Sequence, residues 1–265
     1  MPEAAPAPSS PPPFRAEPPG GRVFAGSRPV RSTDVTPSGR FRLDALARYL
    51  QDVAEDDVAQ TGWQAPYGWL LRRCSLVIRG YPGPGERLGL RTFCSATGPR
   101  WAERTTTMAG PGGDLIQATA IWVAADPATG RPCPLGEDFL RIYGPATQGR
   151  RVSARLSLPG PESVLPAPGP GGGRDWPLRA SDFDQAGHVN NTVHWAAVED
   201  VLAGLGWLPA AAELEYHRPI LPASRPRLLT APAGPAGPAG PGRPGGRYTW
   251  LLDGTERLAS ARLTR

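Results

Sequence analysis

The densest group of reactive side chains in the chain is the run Asp182-Phe183-Asp184-Gln185-Ala186-Gly187-His188-Val189-Asn190-Asn191. A carboxylate can serve as a nucleophile or as a general base on water, and an imidazole can relay a proton or orient a carbonyl. Asp184 and His188 stand four positions apart across a turn that Gly187 allows to fold tightly, close enough to act on one bound group. The turn leads into an apolar helix pattern. A helix N-terminus presents unpaired backbone N–H groups and partial positive charge, which suits a developing oxyanion. The same letters have a structural use, because Asp and Asn are ordinary N-caps and a single His is often only hydrogen-bonded. Capping needs only one of these residues, and this run holds several.

The elements that must position this turn occur twice. An extended run from Arg22 to Asp34 leads through Thr36-Pro37-Ser38-Gly39 into a helix expected from Leu43 to Gln60. Leu43, Leu46, Ala47, Leu50, Val53 and Ala54 share one face at helical spacing, and Gly62 closes the pattern. Four strands are expected next, at Trp69–Tyr81, Arg87–Thr97, Trp101–Met108 and Asp114–Ala124. The second half repeats the order, with an extended run at Trp176–Asp184 and a helix from Asn191 to Leu205 ended by Gly206. Its strands are expected at Ala212–Ile220, Arg225–Ala231, Arg247–Leu252 and Glu256–Thr264. Asp34 and Gly39 are five apart in the first half, as are Asp182 and Gly187 in the second. Thr36 and Arg40 fall where the second half has Asp184 and His188, so the first copy is expected to be non-catalytic. The fold class read from this order is α+β, a tandem pair in which each antiparallel sheet wraps one long helix.

The punctuation between these segments gives the domain plan. Residues 1–21 are rich in Pro and Ala and read as a disordered arm, 22–157 as the first unit, 158–174 as a Pro/Gly linker, and 175–265 as the second unit. Within the last, residues 231–246 read as a long hairpin loop. The 34 prolines and 33 glycines concentrate in these stretches, and 40% of the chain is hydrophobic, enough for a core. The formal charge of +5 comes entirely from Arg, with no Lys present. A mild positive excess suits an acidic protein partner. No basic run interleaved with aromatics suggests nucleic acid. Cys74, Cys94 and Cys133 form no metal-ligand spacing, and Cys74 and Cys94 read as buried. No stretch has the length of a membrane span and the start lacks a signal-peptide order, so a cytoplasmic protein is expected.

Asp182 to Asn191 resembles the DxDxxGHVNN turn of hotdog thioesterases. The segments RSTDVTPSGRFRLDALARYLQDVAEDDV, WLLRRCSLVIRGYPGPGERLGLRT and AIWVAADPATGRPCPL are similar to the acyl-ACP thioesterase family, bacterial relatives of the plastid fatty-acyl-ACP thioesterases. The resemblance covers Arg22 to about Leu221. It implies a tandem hotdog, with the acyl pocket shaped by the first half and catalysis in the second. It places the catalytic pair on Asp184 and His188, and it matches Gly187 and Val189-Asn190-Asn191 to the same turn. Ala186 stands where the plant-type motif has Asn. Pro219 and Ile220 stand where that motif has Glu and Cys. The DxDxAG spelling resembles the acyl-CoA thioesterase branch of the superfamily, which works without that Asn.

The implied reaction is hydrolysis of a fatty-acyl thioester, acyl-ACP or acyl-CoA, with Asp184 as nucleophile or general base. His188 is expected to position the thioester or relay a proton. Gly187, Val189, Asn190 and Asn191 are expected to position substrate, with backbone N–H groups near Val189 and Asn190 holding the oxyanion. No metal or organic cofactor is expected, and a homodimer of the double unit is left open. The competing readings are a non-catalytic hotdog that binds acyl chains or a carrier protein, and a hotdog hydratase or dehydratase. Glu199, His194, Glu215 and His217 are secondary candidates, with a solvent-facing or capping role favoured for Glu199. Trp69, Trp101 and Trp122 are candidates to narrow the acyl pocket, with aromatic core packing the favoured reading.

Overall fold

The computed structural model describes residues 13–165, 173–233 and 245–265. Its centre is one ten-stranded antiparallel sheet. The strands are β1 (Phe24–Pro29), β2 (Gly68–Ile78), β3 (Arg87–Thr97), β4 (Trp101–Gly110), β5 (Gly113–Ala125), β6 (Arg174–Asp175), β7 (Ala211–Tyr216), β8 (Arg227–Ala233), β9 (Gly246–Asp253) and β10 (Glu256–Thr264). Their order across the sheet is β1-β3-β4-β5-β2-β7-β10-β9-β8-β6. Read from the centre outward, each half lists its strands in the same relative order, so a local two-fold relates them. The halves join where β2 pairs antiparallel with β7, in the register Cys74↔Leu214. Helix α1 (Leu43–Thr61) belongs to the first half, and α3 (Asn191–Leu202) to the second. This is the tandem hotdog expected from the repeat.

Both helices are held by burial. Leu43, Leu46 and Val53 of α1 and Trp195, Val198 and Leu202 of α3 join Cys74, Leu76, Leu214 and Leu263 of the sheet in one core. Burial of such side chains stabilises by about 1.5–3 kcal/mol each. Helix α1 ends where Gly62 takes a left-handed conformation, φ 69°, and returns its N–H to the Ala59 carbonyl. Helix α3 ends at Leu202, a turn before Gly206.

The expected strands recur within a few residues of their sequence bounds, except at the start of each half. Arg22–Asp34 divides into β1 and a 3-10 turn at Ser32–Asp34. Trp176–Asp184 is not a strand. Only Arg174–Asp175 pair, and Ala180–Asp182 form a second 3-10 turn, because the Arg179 N–H donates to the Asp182 carboxylate at 2.8 Å and bends the chain. A short helix, α2 (Glu137–Tyr143), had no periodic signal. It buries Phe139 and Tyr143 against Trp63, Tyr67 and Trp69 in a second apolar cluster.

The arm and the linker are both tied down in part. Residues 1–12 lie outside the described residues. From Phe14 onward the expected disordered arm lies on the sheet: Arg15 and Gln117 exchange hydrogen bonds of 2.6 and 2.9 Å, Glu17 pairs with Arg91, and Arg79 covers the Phe14 ring at 3.8 Å. A side-chain amide thus supplies the backbone partners that a strand would have supplied. Residues 166–172 of the linker and 234–244 of the hairpin loop lie outside the described residues. The linker's first residues cover the outer face of β7. There the Glu215 carboxylate, 0% exposed, accepts from the Ser157 N–H at 2.5 Å and the Leu158 N–H at 3.2 Å. Glu215 and its neighbour in alternation, His217, therefore sit on the exterior face, under the crossing segment. Removing the acceptor orphans two backbone donors, and each hydrogen bond to a charged group contributes about 1.5–3 kcal/mol. Glu215→Ala is expected to lower unfolding free energy by roughly that amount or more and to open residues 155–160 to limited proteolysis. Urea unfolding and a proteolysis time course check this.

Candidate active site

The reactive turn is built twice, bond for bond. In the second half the Asp184 N–H donates to the His188 carbonyl (3.0 Å), the Gly187 N–H to the Asp184 carbonyl (3.0 Å), and the Asn190 N–H to the Asp182 carbonyl (2.8 Å). In the first half Thr36 donates to Arg40 (2.8 Å), Gly39 to Thr36 (2.8 Å) and Arg42 to Asp34 (2.9 Å). Gly187 and Gly39 take φ of 75° and 84°, a region that disfavours residues with a Cβ. Thr36 and Arg40 are thus confirmed as the counterparts of Asp184 and His188.

Within the turn Asp184 is half-buried. Its Oδ1 accepts from the Ala186 N–H at 2.9 Å, and its Oδ2 has only a long 3.5 Å contact from Asn190 Nδ2. The Asn190 Oδ1 caps α3 by accepting from the Thr192 N–H and Oγ1–H, both at 2.9 Å. Two of the expected oxyanion donors are already committed. The Val189 N–H donates to Ile220 at 2.9 Å, and the Asn190 N–H to Asp182. The Asn191 N–H, the first of α3, has no partner among the described residues, and Asn191 lines a cavity with Asp184. His188 is brought beside Asp184 through the backbone alone. Its imidazole makes no hydrogen bond among the described residues and lines neither of the two cavities that meet at Asp184.

The larger cavity, about 680 Å³, runs from Asp184, Gln185 and Asn191 along α1 toward α2. Its walls include Ala54, Val58, Trp63, Trp69, Trp122 and Phe139, so most of this lining comes from the other half of the molecule. Trp69 and Trp122 line this cavity, against the core packing favoured for them from the sequence, whereas Trp101 lies outside it and donates its Nε1–H to the Val152 carbonyl at 2.8 Å. Phe139 and Tyr143 were missed with α2. Polar groups interrupt the apolar wall at Glu103 and Arg104. Arg104 bonds at 2.7 Å to Asp57, which also takes Arg22 at 2.6 Å. The second cavity, about 540 Å³, is polar and lies on the other side of Asp184. Its arginines are paired with acids, Arg42 and Arg48 with Asp44 at 2.8 Å and Arg179 with Asp182 at 3.1 Å, so this groove is no cationic patch. Gln51, Glu55 and Asp184 line both cavities.

In the first half the equivalent place is occupied. Arg40 forks onto Glu199 of α3 at 3.0 and 2.5 Å, and the same carboxylate accepts from the Leu43 N–H, the first of α1, at 2.6 Å. An ion pair thus fills the place that is open in the second half, and Glu199 has the capping role.

The other candidates are structural. His194, 4% exposed, donates Nδ1–H to the Asn190 carbonyl at 3.3 Å and packs edge-on against Tyr216. Burial pushes its pKa down to about 4, only partly opposed by that carbonyl. His217 is likewise pushed down to about 4, by burial and then by Arg257 and Arg72, so its 3.7 Å approach to Glu215 is not an ion pair at neutral pH. Burial raises the Cys74 and Cys94 thiols to about 12 and makes them inert. Among the described residues no group of His, Cys, Asp and Glu has the geometry to hold a metal, and no helix is long and apolar enough to cross a membrane.

Residues 21–143 match the model of the acyl-ACP thioesterase N-terminal domain. Uncharacterised proteins from two strains of Mycobacterium tuberculosis are 30% identical over 207 residues, covering 77% of this chain and 80% of theirs. Among solved structures, a 12:0-ACP thioesterase from Umbellularia californica superposes with a TM-score of 0.73 at 20% identity over 91% of this chain and 93% of that one. A putative oleoyl thioesterase from Lactobacillus plantarum superposes with a TM-score of 0.77 at 17% identity over 93% and 96%. At these identities the structures attest the fold.

Two measurements check the site's scaffold. Asn190→Ala loses both the α3 cap and the contact to Asp184, and is expected to cost about 1 kcal/mol; Asn190→Ser restores the cap alone and is expected to regain that stability. The neutral His194 ring has a folded pKa, about 4, below its ordinary 6.5, so its contribution is full above pH 6.5 and is lost as pH falls to and through 4. Unfolding free energy is expected to drop over that window, by on the order of 3 kcal/mol from this group, with a flatter pH slope in His194→Gln.

Proposed function

The chain belongs to the acyl-ACP thioesterase family, and from that premise we propose that it hydrolyses fatty-acyl thioesters carried on acyl carrier protein, with Asp184 as its central catalytic group. The observation that carries the reading is the place of Asp184, where an aromatic-walled cavity and a polar groove meet. A fatty chain fits the first and a pantetheine arm the second, which sets the thioester over the carboxylate. A cavity of this size and lining is typical of small-molecule sites.

In this reading Oδ2 of Asp184, free of strong partners, takes a proton from a water as that water adds to the thioester carbon. The carbonyl π pair moves to oxygen, which the Asn191 N–H receives at the positive end of α3. Collapse of the tetrahedral species expels the carrier thiolate, which takes up a proton, and leaves the free fatty acid. Direct attack by the carboxylate through an anhydride is the variant of the same chemistry. His188 lies in the same turn, and its part in this reading, positioning the thioester, requires its ring to move toward the cavity that Asp184 lines. The choice of carrier protein over coenzyme A rests on the family, since the groove's arginines are neutralised by neighbouring acids.

The free imidazole of His188 favours one alternative, a protein that binds acyl chains without turning them over. Thiol release over a chain-length series of acyl-ACP and acyl-CoA separates the two. Hydrolysis is expected, faster with acyl-ACP, and Asp184→Asn is expected to slow it about 10²–10⁴-fold with an unchanged thermal midpoint. Binding of acyl carriers without any thiol release would favour the alternative.

A further inference from the structure

The two halves treat the same junction in opposite ways, and the contrast singles out a residue of α1. In the first half Glu199 reaches across from α3 and places Oε1 on the Leu43 N–H at 2.6 Å. The sequence offset that carries Arg40 onto His188 and Leu43 onto Asn191 also carries Gln51 onto Glu199. Gln51 is therefore the counterpart, on α1, of the residue that meets the α1 N-terminus from α3. It lines both cavities beside Asp184, and Asn191 lines the larger with it. Among the described residues neither the Gln51 amide nor the Asn191 N–H has a hydrogen-bond partner. Where the first half has an acceptor seated on a donor, the second has two donors around an open space.

We propose that Gln51 is a substrate-binding catalytic residue, its Nε2–H and the Asn191 N–H together donating to the thioester carbonyl oxygen. That oxygen would occupy the position that Glu199 Oε1 fills in the other half. The inference rests on the thioesterase reading and adds to it a group from the opposite helix. The residue type fits the task. A carboxylate at position 51 would itself accept from Asn191, as Glu199 does from Leu43, and would repel both an oxyanion and Asp184. An amide of nearly the same size is neutral and can donate. Charge grows on the oxygen as the activated water adds, so a donor held there contributes more in the transition state than in the ground state.

The test uses the full chain. Gln51→Leu is expected to lower kcat about 10²–10³-fold with little change in KM, the loss typical of one oxyanion donor, and with an unchanged thermal midpoint. Gln51→Glu is expected to be slow at neutral pH and to recover part of its rate as pH falls and the new carboxyl protonates, which a merely structural role would not produce. Binding is measured in parallel with two acyl-pantetheine analogues, a ketone with CH2 in place of sulfur and a thioether with CH2 in place of the carbonyl. Gln51→Leu is expected to weaken binding of the ketone at least several-fold and to leave the thioether unaffected. Equal loss for both analogues, no loss for either, or an unchanged kcat overturns the proposal. If the wild type turns over no thioester, the hydrolase reading fails, while the two analogues still decide whether Gln51 holds the carbonyl. Gln51→Asn, which keeps the amide but shortens it by one methylene, provides the same comparison should the leucine variant not fold.

Discussion

The site depends on the antiparallel packing of α1 against α3, which sets the first turn of each helix against the middle of the other. The sheet enforces it, because β2 and β7 pair antiparallel at the local two-fold and the helices above them inherit that axis. An exposed helix start has unpaired N–H groups that need an acceptor. In one half the protein supplies that acceptor as Glu199. In the other, the first N–H has no acceptor among the described residues and belongs to a residue that lines a cavity with Asp184. One scaffold thus yields a sealed junction and an open one, and the difference lies in a few side chains.

The division of labour between the halves follows from the same packing. Asp184 is fixed by its own turn, where backbone bonds and the Ala186 N–H hold the carboxylate without help from the distant chain. The cavity it faces is walled largely by α1, β4, β5 and α2 of the other half. Changes in that wall can alter the depth and polarity of the pocket with little effect on the turn. The buried ion cluster of Asp57 with Arg22 and Arg104 ties α1 to the strands behind it. It costs desolvation, but it fixes the position of the helix that carries Gln51 and Val58.

Polar groups outside the site are satisfied by crossing segments. Glu215 holds the start of the linker over the sheet, and Gln117 holds the residues before β1. Buried acceptors placed in strands capture backbone that has no regular structure of its own. This is why stretches rich in proline and glycine, which lack periodicity, are nonetheless held in place where a side chain meets them.

The sequence by itself determined what is periodic or local. The two long helices, most strands and the two-fold repeat are legible because burial on one face imposes a period of 3.6 or 2 on the residues. The turn is legible because Asp182, Gly187 and Asn190 act over a few residues, and the loss of acid and imidazole at Thr36 and Arg40 can be read from letters alone. Tertiary structure decided whatever joins distant positions. It determined that the Val189 and Asn190 N–H groups are taken and that, among the described residues, that of Asn191 is not. It also determined that His188 lines neither cavity at Asp184, that α2 helps to wall the larger one, and that Gln51 lines both. No local pattern records such contacts, because hydrogen-bond partners and cavity walls are set by which surfaces the sheet brings together, long after the spacing along the chain has ceased to matter.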